Sequence, residues 1–250
     1  MNQTTTIRDR IVSIFIWFLA GSFLIVMTTC LSVLYRFIEP DRIPFFDRFY
    51  TKWQLALTFN KQTYHVHPGV DADTQYIFVQ NHTSHLDHVV TYNATPHFKQ
   101  GVELQSHFDY PFYGWFMKAR GTIPVPSGGK TGLRSVLRSV ERQLDLHRSI
   151  LAFPEGHRTL DGRVGEFQDG LFYIAIKLGA PIVPVAVTGL YEVLHKGSLV
   201  IRPRCTVAVY VEEPISTDGL TLSDVPKLRD RVRDVISARV EAHRKQLVTA

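Results

Sequence analysis

A histidine and an aspartate stand five positions apart in Asn81-His82-Thr83-Ser84-His85-Leu86-Asp87-His88, directly after the apolar run 76–79. An imidazole held by a carboxylate can take a proton from a hydroxyl near neutral pH, since the unperturbed histidine pKa is about 6.5. His82 is then a candidate base and Asp87 the group that orients it. The same residues also carry a purely structural pattern. Ser84 followed three residues later by Asp87 is a capping-box sequence, which starts a helix running into Val89, Val90 and Tyr92.

A metallic reading competes with both. His85-Leu86-Asp87-His88 resembles the His-x-Asp-His part of the metallo-β-lactamase zinc motif, with Thr83 where that motif needs a histidine and Val89 and Val90 in place of its glycines. Further ligands are available at His97, His107, His147, His157 and His195, but they form no obvious set.

The elements that must position these groups follow from hydrophobic periodicity. Short apolar, β-branched runs recur at 76–79, 121–125, 150–153, 182–187 and 207–211, with helical patterns between most of them. This alternation predicts an α/β domain with a largely parallel sheet flanked by helices. Leu133, Leu137, Val140 and Leu144 form one stripe of a helix following Lys130, and a final amphipathic helix is predicted over 224–246. Ligands of such sheets gather beyond the carboxyl ends of the strands, so segments 81–88, 126–130 and 154–158 are predicted to converge.

The first 60 residues read as a membrane-anchoring segment, with 61–250 the catalytic domain. Residues 11–35 carry no charge and, as a helix, would be roughly 37 Å long, enough to cross a bilayer core. The run is longer than a signal-peptide core and reaches Arg36 without a cleavage-site pattern. A second helix over about 43–59 is rich in Phe and Trp, as at a membrane interface, so either the two form a hairpin dipping into one leaflet or the second helix packs on the soluble domain. Arg8 and Arg10 precede the apolar run, whereas Arg36, Arg42, Arg48 and Lys52 follow it, which favours the following domain on the cytoplasmic side. In a bacterium that membrane would be the inner one.

The chain has 250 residues and no linker, repeat or low-complexity tract that would divide its core. Its 28 Lys+Arg against 23 Asp+Glu give a formal charge of +5, which suits an anionic membrane surface or a phosphorylated substrate. No nucleic-acid motif accompanies that charge, so nucleic acid is not expected as a partner. Cys30 and Cys205 make neither a disulfide framework nor a CxxC site.

Four blocks in order sharpen the picture: His82-x4-Asp87; Gly121-Thr122-Ile123-Pro124-Val125; Phe153-Pro154-Glu155-Gly156-His157-Arg158; and Ala180-Pro181-Ile182-Val183-Pro184-Val185. Over residues 75 to 190 the chain resembles the glycerolipid acyltransferase family typified by lysophosphatidic acid acyltransferases. The resemblance implies transfer of an acyl chain from acyl-CoA or acyl carrier protein to the hydroxyl of a lysophospholipid, with 1-acyl-glycerol-3-phosphate as the leading acceptor. It implies His82 as general base, Asp87 as its partner, no covalent intermediate, no metal and no bound cofactor. Glu155, Gly156 and Arg158 match the third block, associated with acceptor binding or site organisation. The family's arginine after the second block is absent, its place being taken by Pro126 and Ser127, and a basic group returns only at Lys130. Ser127 and Lys130 are thus the candidate substitutes, and another lyso-lipid, including an amino-acid lipid, remains open as acceptor. A zinc-dependent hydrolase and a non-catalytic lipid-binding protein are the rival readings.

Overall fold

The computed structural model describes residues 6–126 and 129–249, the side chains of 129–131 and 249 excepted. In chain order the elements are α1 (Ile7–Leu34), α2 (Pro44–Ala56), β1 (Lys61–Val66), β2 (Ile77–Gln80), α3 (Asp87–Tyr92), β3 (Lys99–Leu104), α4 (Tyr113–Arg120), β4 (Ile123–Val125), α5 (Gly129–Asp145), β5 (Ser149–Ala152), α6 (Gly170–Leu178), β6 (Ile182–Thr188), α7 (Leu190–Val193), β7 (Thr206–Val211) and α8 (Val225–Thr249). The strands form one sheet in the order β1-β7-β6-β2-β5-β3-β4. Every neighbouring pair is parallel except β6 with β7.

The sheet separates two apolar layers. On one face Ile77, Val79, Ile150, Ala152 and Ile182 pack with Val136 and Val140 of α5, Phe172 of α6 and Val232 and Ile236 of α8. On the other, Phe78, Leu151, Val183 and Val185 pack with Ile16 of α1, Leu55 of α2 and Val89 and Val90 of α3. Alternate residues of β2 and β5 thus serve opposite layers, which is why these strands read as continuous apolar runs. Burying each such side chain contributes about 1.5–3 kcal/mol.

Helix α1 begins four residues earlier than its apolar run. Thr6 and Asp9 form a reciprocal capping box, with Thr6 N–H donating to Asp9 at 2.9 Å and Asp9 N–H to Thr6 at 3.2 Å. The charged first turn was invisible to a search for apolar residues. Helix α2 packs antiparallel to α1: Tyr35 meets Asp47, Phe23 stacks on Tyr50, and Gln54 donates to the Ala20 carbonyl.

The hairpin is inside out for a water-soluble structure. The inward face of α2 buries Asp47, Tyr50, Thr51, Gln54 and Leu55, while Phe45, Phe46, Phe49 and Trp53 are exposed. Likewise α1 buries Ser13, Thr28 and Ser32 and exposes Ile11, Ile14, Phe15, Phe18, Ile25, Val26 and Val33. Most of the inward polar groups are satisfied, Tyr50 Oη and Gln54 Oε1 being buried without a partner among the described residues. Asp47 accepts from Tyr35 Oη at 2.7 Å, Tyr92 Oη at 3.0 Å and Arg120 Nε at 2.9 Å, joining α1, α2, α3 and α4 in one buried network. At the other end of α1, Ser13 Oγ bonds both the Ile201 carbonyl and amide, and Trp17 Nε1 donates to Leu199.

Candidate active site

The five parallel strands β6, β2, β5, β3 and β4 end on one edge, where the segments following β2, β3 and β5 build the site. Asn81 fixes the first loop by a reciprocal pair with the Val187 backbone of β6, 3.0 and 2.8 Å. Beneath it, fully buried Gln80 bonds the Thr91 hydroxyl and donates to the Asp87 carbonyl, seating α3 against the end of β2.

His82 Nδ1 lies 2.6 Å from Asp87 Oδ2. A carboxylate only accepts, so Nδ1 carries the proton and Nε2 keeps its lone pair. The same Oδ2 accepts the Thr83 and Ser84 amides at 2.7 and 2.9 Å, and Oδ1 accepts the Thr83 hydroxyl at 3.1 Å. Asp87 therefore folds the loop and orients the histidine together. The capping-box expectation is met in part: the carboxylate takes the Ser84 amide, whereas Ser84 Oγ accepts from Leu86, and α3 begins at Asp87 itself. Within residues 83–87, His85 N–H is the amide left without an internal partner among the described residues. The His82 ring stacks on Phe153 with centroids 4.4 Å apart, a contact for which the sequence gives no spacing signal.

Glu155 is 2 % exposed. Its Oε1 accepts the His82 amide at 2.7 Å and its Oε2 the Gly165 amide at 2.8 Å. Thr159 N–H returns a bond of 2.8 Å to the His82 carbonyl, so the third block clamps His82 by its backbone on both sides. Burial pushes the Glu155 carboxyl above its ordinary pKa, and the two amides oppose that rise. Gly156 turns the chain at φ +70, where a Cβ would also come within 2.8 Å of Gln168 Nε2. Arg158 is half-buried and makes no hydrogen bond or ion pair among the described residues. Ser127 and the Lys130 side chain lie outside the described residues.

Two cavities meet at this centre. The first, about 520 Å³, runs beneath α1, α2 and α4 past Ala20, Leu24, Val89, Phe116 and Met117. The second, about 610 Å³, lies between β4, α5 and the third block and includes Val125, Leu133, Val136 and Lys196. Both are lined by His82, Val102, Glu103, His107, Phe153 and Arg158. Glu103 and His107, 2.9 Å apart, come from β3 and the turn after it, a strand the apolar pattern passed over. Lys196, from the loop after α7, adds a cation that no motif had singled out.

The zinc trio does not converge. Asp87 is turned to His82 and the loop amides, and the His88 ring lies by Tyr113 with its Nε2 buried. Among the described residues no group of three or more His, Cys, Asp or Glu side chains is placed to hold a metal ion.

The chain is thus a mostly parallel α/β sheet with a carboxylate-held histidine at its carboxyl edge, between two cavities. The acyltransferase family model matches residues 60–188, and the chain belongs to that family. It is 33% identical over 147 residues to a chloroplast 1-acyl-sn-glycerol-3-phosphate acyltransferase of Brassica napus, covering 58% of this chain and 42% of the relative. It is 28% identical to a 1-acyl-sn-glycerol-3-phosphate acyltransferase of Limnanthes douglasii, covering 68% and 61%. The chain thus spans less than two thirds of the length of these relatives. The crystal structure of the 1-acyl-sn-glycerophosphate acyltransferase PlsC from Thermotoga maritima shares the fold, with a TM-score of 0.77 at 22% identity over 94% of this chain and 96% of that one.

Proposed function

We propose that this protein is a membrane-bound O-acyltransferase that esterifies the free hydroxyl of a lysophospholipid, 1-acyl-glycerol-3-phosphate in the first instance, using an acyl thioester of CoA or acyl carrier protein. The observation that carries the reading is the His82–Asp87 pair at the junction of two cavities, in a chain of the acyltransferase family. His82 Nε2 removes the acceptor's hydroxyl proton as that oxygen attacks the thioester carbonyl. The new C–O bond forms, the C–S bond breaks, and the proton passes from His82 to the departing thiolate. Asp87 holds the ring and stabilises the imidazolium between these steps. The unpartnered His85 amide is the candidate donor to the oxyanion.

Glu155 acts as a positioning residue, holding His82 by its backbone, and Gly156 permits the turn that allows it. Arg158, which lines both cavities, and Lys196, which lines the second, have no ionic partner among the described residues and suit a phosphate there, with Ser127 and Lys130, which follow the lining residue Pro126 in sequence, as further candidates. The first, more apolar cavity takes an acyl chain. The relatives named 1-acyl-sn-glycerol-3-phosphate acyltransferase support that acceptor, as do Arg158 and Lys196 in the second cavity.

The inside-out hairpin supports attachment to a membrane, with residues 1–60 as its anchoring part and 61–250 carrying the chemistry. Helix α1 is long and apolar enough to cross a bilayer. It is nonetheless tied to the protein body at Ser13 and Trp17 and again at Leu31 and Tyr35, about 27 Å further along. That favours a hairpin lying in one leaflet, and the excess of Lys and Arg after the helix favours the cytoplasmic one. The direct test is to supply purified protein in lipid with acyl-CoA or acyl carrier protein thioester and a panel of lyso-lipids. Phosphatidic acid is the expected main product; failure to acylate any member contradicts the reading.

A further inference from the structure

The catalytic edge carries a second imidazole–carboxylate pair, which the His82 chemistry does not use. His107 Nδ1 lies 2.9 Å from Glu103 Oε1, and its ring stacks on Tyr110 with centroids 5.1 Å apart. Glu103 Oε1 also accepts the Leu104 amide at 2.9 Å. No Lys or Arg side chain pairs with this carboxylate among the described residues, and its Oε2 makes no hydrogen bond there. With Nδ1–H donating, Nε2 of the neutral His107 ring is a second acceptor without a donor. Neither atom is buried, the Glu103 and His107 side chains being 33% and 34% exposed. Both residues line the two cavities beside His82 and Arg158.

Sheet register brings the pair to the reacting centre. β3 runs parallel to β5 with Gly101 level with Leu151, so two residues further along Glu103 comes level with Phe153, on which the His82 ring stacks at 4.4 Å. Burial pushes the His85 pKa down, and the charges of Arg158, His82 and His107 add to the fall, so all three lie within electrostatic reach of one side chain. Arg158 and Glu103 nevertheless form no ion pair with each other. The centre therefore offers an unpaired guanidinium to an anion and an unpaired carboxylate oxygen to a cation. A phosphate monoester answers only the first. A phosphate esterified to an amino alcohol answers both: its anion meets Arg158, and its ammonium, two carbons beyond the phosphate oxygen in an ethanolamine ester, donates to Glu103 Oε2 with His107 Nε2 as a neighbouring acceptor. We propose that this site takes, alongside lysophosphatidic acid, a lysophospholipid whose head group carries a primary amine, and that Glu103 selects it. The proposal rests on the acyltransferase reading and extends its substrate class.

The test uses the full-length protein in lipid with a palmitoyl thioester of CoA or of carrier protein. The acceptors share one acyl chain and are lysophosphatidic acid and its ethanolamine, N-acetylethanolamine and glycerol esters. The ethanolamine ester is expected to exceed the N-acetylated and glycerol esters in kcat/KM by about ten-fold, the worth of one charge-assisted hydrogen bond. N-acetylation removes the charge without touching the protein, so this comparison holds whatever a substitution does to folding. Glu103→Gln is expected to bring the ratio to about one, and Glu103→Lys to turn it against the amine. Equal or poorer use of the ethanolamine ester overturns the amine subsite while leaving acyl transfer intact, as does a preference that neither substitution changes. No turnover of any acceptor overturns both the subsite and the acyltransferase reading.

Discussion

Asp87 binds four donors through two oxygens, so its replacement acts on chemistry and on loop shape together. Asp87→Asn is expected to lower kcat by about 10³-fold or more, because an amide no longer holds the Nδ1–H form of His82 or its imidazolium. Steady-state kinetics at pH 7.5 reads this directly. Glu155→Gln tests positioning separately. One amide nitrogen would then face a backbone N–H of His82 or Gly165, and we expect kcat to fall about ten-fold with KM for both substrates nearly unchanged. A rise in acceptor KM with kcat intact would instead make Glu155 an acceptor contact. His82 and Asp87 were readable because their pairing spans one short loop with a fixed spacing. The contact of Glu155 with His82 was not, since a side-chain bond to a backbone amide 73 residues away leaves no local pattern. The stack of Phe153 under His82 was hidden for the same reason.

Helix α2 presents aromatic side chains outward and a carboxylate inward, and each face predicts a different failure. Phe46→Ser with Trp53→Ser is expected to weaken vesicle binding by ten-fold or more in a flotation assay, since each large apolar side chain withdrawn from water contributes about 1.5–3 kcal/mol. Turnover of a detergent-dispersed acceptor should be affected far less. Asp47→Ala strands the buried Arg120 guanidinium and removes the acceptor shared by Tyr35 and Tyr92. A loss of about 3–5 kcal/mol is expected, seen as a fall in Tm of roughly 10 °C. The helix α2 and its aromatic content were legible, whereas the partners of Asp47, which come from the end of α1 and from α3 and α4, were not. Strands β1 and β3 also escaped the sequence reading. β1 is an edge strand with mostly exposed residues, and β3 carries Lys99, Gln100 and Gly101 at positions that an apolar count passes over.

Across the whole molecule, stability should fall in acid through at least one identifiable group. Burial pushes the His88 pKa down to about 4, so the folded protein keeps this ring neutral while the unfolded chain takes up a proton near pH 6.5. Its contribution is fully present above that value and is lost as pH falls towards 4, with a slope of at most about 1.4 kcal/mol per pH unit. Urea unfolding at pH 7.5, 5.5 and 4.5 should show a steeper decline for the wild type than for His88→Gln. The overall architecture was legible where strands are apolar on both faces, and the meeting of the loops after β2 and β5 at the carboxyl edge followed from a general rule of parallel sheets, while most of segment 126–130 lies outside the described residues. Packing of the second helix on the domain was one of two open readings, and Leu55 together with Ile16 does join the domain's own core; the sequence left it open because an apolar residue facing lipid and one facing protein look alike. Acyl transfer as proposed turns on His82 moving a proton. Its most direct test follows thiol release and lipid ester formation together in wild type and His82→Ala, both reconstituted in lipid with the same thioester and lysophosphatidic acid. One thiol per ester in the wild type, with both rates lowered about 10²–10⁴-fold in the variant, is the predicted result. Ester formation by His82→Ala at the wild-type rate would contradict it.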